Sequence, residues 1–164
     1  MGRIGKAVAR RCHFGFGMTV KFFNRSPVAD PGVPAVQVSD MADLAGRVDF
    51  LVLTLPGGPD TRNIIDARIL AAMRPTGILV NIARGDVLDE DALIAALETG
   101  RIAGAGLDVY AQEPTVPDRL RALENVVLLP HLGTAALEVR TAMGMVALDN
   151  IIAFAEDRPL PNLV

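Results

Sequence analysis

The stretch ILVNIARGDVLDEDALIAALETGRIAGAGLDV, residues 78–109, decides the fold class. It opens on an aliphatic run at 78–82, broken only by Asn81, as expected of a strand covered on both faces. Asp89, Glu90 and Asp91 then put negative charge where a helix dipole favours it, Leu93, Ala96 and Leu97 share one helix face, and Gly100 follows as a stop. A second apolar run at 105–109 comes directly after. Strand, helix and strand within about 30 residues make a crossover unit, whose two strands lie parallel.

Working outward, short runs rich in Val, Ile, Leu and Phe at 19–23, 36–38, 50–54 and 126–129 alternate with helical patterns. Such alternation predicts an α/β fold with a mostly parallel sheet. From 135 to about 156 the pattern predicts a long helix, ended by Pro159 and Pro161. Its second half, through Ile151, Ile152, Ala153, Phe154 and Ala155, is apolar around most of its circumference, a surface that needs a partner domain or subunit. No repeat or flexible linker is visible, so 1–137 reads as the main domain and 138–164 as a C-terminal helix and tail.

A chain of 164 residues, 51% hydrophobic and 21% charged, has the length and apolar content for one packed core rather than disorder. Its net charge of −3, with no Lys/Arg block interleaved with aromatics, points away from nucleic acid and from an anionic membrane surface. Apolar runs break well short of the roughly 18 residues a spanning helix needs, and Met1 opens no signal-peptide pattern, so a soluble cytoplasmic protein is expected. The lone Cys12 can form neither an intramolecular disulfide nor a thiolate metal cage; it reads as a small, buried or half-buried helix residue, and no metal site is expected. His13 reads as a helix-surface residue.

In open parallel sheets ligands bind beyond the carboxyl ends of the strands, which makes the residues following each strand informative. Here they are Asn24, Arg25 and Ser26; Leu55, Pro56, Gly57 and Gly58; Ala83, Arg84 and Gly85; Asp108 and Glu113; and Pro130 and His131. A guanidinium, carboxylates and an imidazole thus converge on one edge. Each also has a plainer reading: Arg84 as half of a structural ion pair, Glu113 as a loop acid before Pro114, and His131, held by Pro130, as a satisfied structural group.

The chain begins Gly2, Arg3, Ile4, Gly5 and passes into a helical pattern with Ile4, Ala7, Val8 and Cys12 on one side. These match the last two glycines of a G-x-G-x-x-G turn, where bare backbone lets a pyrophosphate approach a helix N-terminus. About 20 residues on, an NAD site would carry Asp or Glu for the ribose hydroxyls. Asn24, Arg25 and Ser26 stand there instead, so no carboxylate repels a 2′-phosphate, and a guanidinium and a hydroxyl are at hand to bind one. NADP(H) over NAD(H) is the expectation, against a reading of Arg25 as a solvated loop residue.

Three blocks, NIARGDVLDE at 81–90, AGAGLDVYAQEP at 103–114 and LPHLGTA at 129–135, resemble the D-isomer-specific 2-hydroxyacid dehydrogenases in content and order, and the resemblance runs along the whole chain. It implies a Rossmann-like doubly wound sheet and an oxidoreductase that moves a hydride between NAD(P)H and a small 2-keto acid or D-2-hydroxy acid. It implies a catalytic triad in which Arg84 binds and polarises the keto acid, His131 gives the carbonyl oxygen its proton, and Glu113 holds the imidazole. For the cofactor it implies the pyrophosphate turn at Gly2, Arg3, Ile4 and Gly5, the ribose loop at Asn24, Arg25 and Ser26, and Asp108 at the nicotinamide carboxamide. Leu55, Pro56, Thr61, Ile82, Ala83, His131 and Gly133 fall at further cofactor positions, although Gly57, Gly58, Pro59 and Asp60, just before Thr61, depart from the commoner pattern. Within the family the chain is most similar to glyoxylate, hydroxypyruvate and hydroxyphenylpyruvate reductases, whereas formate dehydrogenases carry glutamine where Glu113 stands. A homodimer is implied for the full-length form.

The resemblance also implies that most of a substrate domain, and the cofactor domain's first strand with the first glycine of its turn, would precede Met1. In the strand order 3-2-1-4-5-6 that strand lies centrally, between those at 19–23 and 50–54. Several buried aliphatic residues at about 1.5–3 kcal/mol each amount to the order of 10 kcal/mol, comparable with a domain's net stability of about 5–15 kcal/mol. The expectation is that the polypeptide alone is unstable or rearranged, and inactive. Two alternatives stand beside a truncated enzyme: a remnant or partner subunit that binds nucleotide without turnover, and a sensor like the family's dinucleotide-binding corepressors.

Overall fold

A computed structural model describes residues 1–163. The chain divides into two compact units, Met1–Pro130 and His131–Val164. In the first, α1 (Arg3–Arg10) runs into a π-helical turn, Arg11–Gly15. There follow β1 (Val20–Phe23), β2 (Ala35–Val38), α2 (Met41–Gly46), β3 (Phe50–Leu53) and α3 (Ala67–Ala72). β4 (Ile78–Asn81), α4 (Glu90–Glu98), β5 (Gly104–Leu107), α5 (Asp118–Arg121) and β6 (Val126–Leu128) complete the unit.

All strand pairs are parallel. β3, β4, β5 and β6 form one sheet in chain order, while β1 pairs only with β2 in a separate two-stranded sheet. The break falls between β1 and β3, where the expected strand order leaves its central place vacant. The α/β, parallel architecture read from residues 78–109 is therefore the one observed, divided in two.

Three helices start the same way. The carboxylates of Asp40, Asp66 and Asp89 accept from the backbone N–H of Asp43, Ile69 and Ala92 at 2.8, 3.0 and 3.0 Å, satisfying donors that the first turns of α2, α3 and α4 would leave unpaired. Gly100 ends α4 at φ 65°, and the Arg101 N–H returns to the Ala96 carbonyl at 2.8 Å, a left-handed stop that a side chain would resist. The core lies around β3, β4 and β5, where Ile69, Leu70, Met73, Leu79, Leu93 and Ile94 are fully enclosed. Rigid packing there fixes the strand ends that carry the candidate site.

The second unit is built on α6 (Leu137–Ala155), whose Leu137, Met143, Ile151 and Phe154 are exposed while Ala153 is buried. The tail folds back on it, with the Asn162 N–H donating to the Asn150 side-chain oxygen at 3.2 Å. Among the described residues no helix is long and apolar enough to cross a membrane.

Candidate active site

Parallel strands deliver the loops after β1, β3, β4 and β5 to one edge of their sheets. At the end of β4 the Asn81 side chain is wholly buried; its oxygen accepts from the Ala83 N–H and its nitrogen donates to the Arg84 carbonyl, both at 3.0 Å. A buried amide satisfied at both ends holds this turn in one shape. Arg84 leaves the turn extended and exposed, with a guanidinium N–H on the Ala83 carbonyl at 2.7 Å. Ala83 is buried, and Ile82 faces outward.

Gly85 lies flat against the segment that follows β5. A Cβ there would overlap the Tyr110 carbonyl and stand 2.5 Å from the Ala111 nitrogen. In that segment Asp108 is buried, and its N–H donates to the Asn81 carbonyl at 3.0 Å. The Tyr110 N–H donates to a Glu113 carboxylate oxygen at 3.0 Å, so backbone orients this acid before any ligand does. The Tyr110 hydroxyl donates to the Leu129 carbonyl at 2.9 Å, tying in the chain after β6.

Burial, then the Asp108 carboxylate, pushes the Tyr110 phenol above its usual value. The fold thus favours the neutral phenol: its stabilising share is complete below the unfolded value, near pH 10, and is lost as pH rises through the higher folded value. Tyr110→Phe is expected to cost about 1 kcal/mol at neutral pH by removing one buried hydrogen bond. Denaturant midpoints followed from about pH 7 to about pH 11 should then fall less steeply at the alkaline end in the variant than in the parent.

The loop after β3 is braced against the same turn. Gly58 N–H donates to an Asp86 carboxylate oxygen at 3.1 Å, and the Thr61 hydroxyl donates to the Pro56 carbonyl at 2.8 Å. At Gly57 a Cβ would stand 2.6 Å from the other Asp86 oxygen and 3.0 Å from Arg84 Cγ. The glycine that departs from the commoner family pattern therefore makes room for the stem of Arg84. Leu55 is half-buried and Pro56 exposed.

Beyond β1, the Met1 amine donates to the Asn24 side-chain oxygen at 2.7 Å, and Gln37 donates to the Ser26 carbonyl at 3.1 Å. The first bond joins this loop to the residues before α1, and the second joins it to β2. Arg25 and Ser26 are exposed, and among the described residues Arg25 enters no ion pair. Gly2 precedes α1 with no side-chain cap and no acid in the first turn, while Arg3 and Ile4 are exposed. Uncapped first-turn N–H groups are the donors a phosphate takes. Gly5 is buried, where a Cβ would press on the Thr54 hydroxyl at 3.0 Å.

His131 belongs to the second unit, with Leu132 and Gly133. Its backbone sits at φ 56°, a left-handed conformation in which a non-glycine residue is held at some cost. Among the described residues no group of His, Cys, Asp and Glu could hold a metal ion. His13, read as a surface residue, is half-buried, with Nδ1 2.9 Å from the Met18 carbonyl.

The profile described as D-isomer specific 2-hydroxyacid dehydrogenase, NAD binding domain, matches residues 1–133. The chain belongs to the D-isomer-specific 2-hydroxyacid dehydrogenase family. It is 45% identical to a glyoxylate reductase of Thermococcus gammatolerans, over 99% of this chain and 49% of that protein. It is 48% identical to glyoxylate/hydroxypyruvate reductase B of Yersinia enterocolitica, over 93% of this chain and 48% of that protein. Among solved structures it is similar to the NADPH-dependent glyoxylate/hydroxypyruvate reductase of Sinorhizobium meliloti in complex with NADP and malonate. That match has a TM-score of 0.89 and 40% identity, and covers 93% of this chain and 47% of the other. The chain thus spans about half the length of the relatives it matches.

For this member of the 2-hydroxyacid dehydrogenase family, sequence reasoning named Arg84 and Glu113 but missed what holds them: Asn81, Gly57, Asp86 and Tyr110. Asn81 alone carried a signal, as the one polar residue in an aliphatic strand.

Proposed function

We propose that the chain is the nucleotide-binding and catalytic part of a D-2-hydroxyacid dehydrogenase that reduces small 2-keto acids of the glyoxylate and hydroxypyruvate type, with NADPH preferred. The observation that carries this is the pressing of the Arg84 turn, shaped by Asn81 and Gly85, onto the segment whose backbone orients Glu113. When bound, a reduced nicotinamide supplies the hydride.

This chain's residues do the rest. First-turn N–H groups at Gly2, Arg3 and Ile4 hold the pyrophosphate, and Asn24, Arg25 and Ser26 take the ribose and its 2′-phosphate. Asp108 orients the carboxamide; Leu55, Pro56, Thr61, Ile82, Ala83 and Gly133 border the cofactor. Arg84 forks across the substrate carboxylate and carbonyl oxygen, drawing charge toward that oxygen. His131 is the proposed donor of a proton to it, with Glu113 as its supporting acid. The product is the D-2-hydroxy acid. The exposed apolar residues of α6 support a homodimer in the full-length form.

The test joins this chain to the preceding half of the Yersinia enterocolitica reductase and follows NADPH oxidation with glyoxylate and with hydroxypyruvate. Turnover is expected; a folded chimera that binds NADPH yet turns over neither would overthrow the reading. In the same chimera Arg25→Ala should raise KM for NADPH about 10- to 100-fold, the worth of a charge-assisted hydrogen bond, and leave KM for NADH almost unmoved. Equal effects on both cofactors would mean that Arg25 does not read the 2′-phosphate. For the 164-residue polypeptide by itself, the divided sheet and the half-length match favour nucleotide binding without turnover.

A further inference from the structure

Tyr110, buried in the segment that follows β5, meets each of the three strand-end segments that carry or lead to the proposed catalytic groups. Its N–H donates to the Glu113 carboxylate at 3.0 Å. Its carbonyl is the surface on which Gly85, next to Arg84, is pressed, with no room for a Cβ between them. Its hydroxyl donates to the Leu129 carbonyl at 2.9 Å, two residues before His131. Backbone makes the first two contacts, so they do not depend on the side chain at 110. The third needs a phenol: phenylalanine would fill the same space and leave the Leu129 carbonyl without that donor.

Leu129 is thereby held through both its polar backbone groups. Its N–H donates to the Leu107 carbonyl at 2.9 Å, and its carbonyl takes the phenol. Pro130 follows, and its ring fixes its own φ and keeps Leu129 extended. From the tethered carbonyl to His131 the chain therefore has little freedom. His131 itself sits at φ 56°, a conformation that persists in a non-glycine residue only where the neighbouring structure imposes it. We propose that Tyr110 is a positioning residue for the general acid: its hydroxyl, through Leu129 and Pro130, fixes where the chain enters His131 and so sets the aim of the imidazole. This role rests on the function proposed above, and adds to it a side chain that acts through another residue. The Glu113 segment is secured separately, since the Ala111 N–H donates to a Glu90 carboxylate oxygen at 3.2 Å. Loss of the hydroxyl thus releases the chain to His131 while leaving the holds on Glu113 and Arg84 in place.

The experiment uses the chimera with the Yersinia half and compares Tyr110→Phe, His131→Gln, the two together, and Ile94→Val. Tyr110→Phe should lower kcat about 5- to 50-fold, the effect of misplacing a proton donor by up to about 1 Å. KM for the keto acid and for NADPH should each move less than about twofold, because the Arg84 turn and the nucleotide loops are untouched. In the His131→Gln background the same change should alter the residual kcat by less than about twofold, since no imidazole is left to aim. Ile94→Val trims a fully enclosed core side chain and costs stability without touching these contacts, so its kcat should equal the parent's. A fall in Ile94→Val equal to that in Tyr110→Phe would make lost stability the cause and overturn the proposal. So would a Tyr110→Phe kcat equal to the parent's, or a loss that persists undiminished without His131. Should Tyr110→Phe not fold, Pro130→Gly loosens the same link at an exposed position. It should lower kcat with both KM values intact, and an unchanged kcat there overturns the proposal too. A parent chimera without turnover removes the proposed function and this role with it; a parent that turns over beside an unaffected Tyr110→Phe removes the role of Tyr110 alone.

Discussion

Gly85→Ala should destabilise the first unit by about 3 kcal/mol, at the upper end of overpacking penalties. At this chain length that lowers the thermal midpoint by about 6–12 °C. The added Cβ falls on the Tyr110 carbonyl and the Ala111 nitrogen, which are backbone atoms that cannot rotate aside. Relief requires the β4 turn to lift, and that strains the Asn81 bonds to Ala83 and Arg84. Gly144→Ala is the matched control: nothing lies within 4 Å of its added Cβ, and alanine suits a helix interior better by about 1 kcal/mol. Calorimetry of the two variants should show opposite signs. A Gly85→Ala midpoint equal to the parent's would mean that the turn does not rest on the Tyr110 segment.

His131→Gln should lower kcat for keto-acid reduction by about 10²- to 10⁴-fold in the chimera with the Yersinia half, the range for loss of a general acid. KM for NADPH should change little, because the phosphate and ribose contacts assigned here come from the other end of the chain. Glutamine keeps hydrogen-bonding capacity and cannot supply a titrating proton. A loss of kcat accompanied by a matching rise in KM for NADPH would point instead to a structural histidine, consistent with its left-handed backbone alone. Steady-state kinetics with each substrate varied in turn separates the two.

Much of this fold was legible because its middle is locally consistent. Residues 78–109 carry an aliphatic strand, an acidic helix start and a glycine stop, and each appears as β4, α4 and the turn at Gly100. Several strand ends were overread by one or two residues for a simple reason. Thr54, Ile82 and Val109 have β-forming side chains, but the backbone leaves the ladder there to build loops, and Val109 is buried without being paired. α2 and α3, six residues each, are too short to show a period, and their only mark is an aspartate at the N-cap. The central gap followed from strand order alone. Within the site, residues that follow a strand could be named from position. Gly85 and Gly57 could not be explained that way, because their roles lie in contacts with Tyr110 and with Arg84 and Asp86, from separate loops.

The divided sheet also distributes cohesion unevenly. Leu79, Leu93 and Ile102 are sealed in the four-stranded half, whereas in the β1–β2 ribbon Val36 is 58% exposed. Phe22 is buried and Phe23 and Val38 pack against the core, but a two-stranded ribbon with one exposed side is the weaker element, so its amides should exchange through smaller local openings than those of β4. If nucleotide binds at the loop after β1 as proposed, its capture and the stiffening of the ribbon would be a single thermodynamic event.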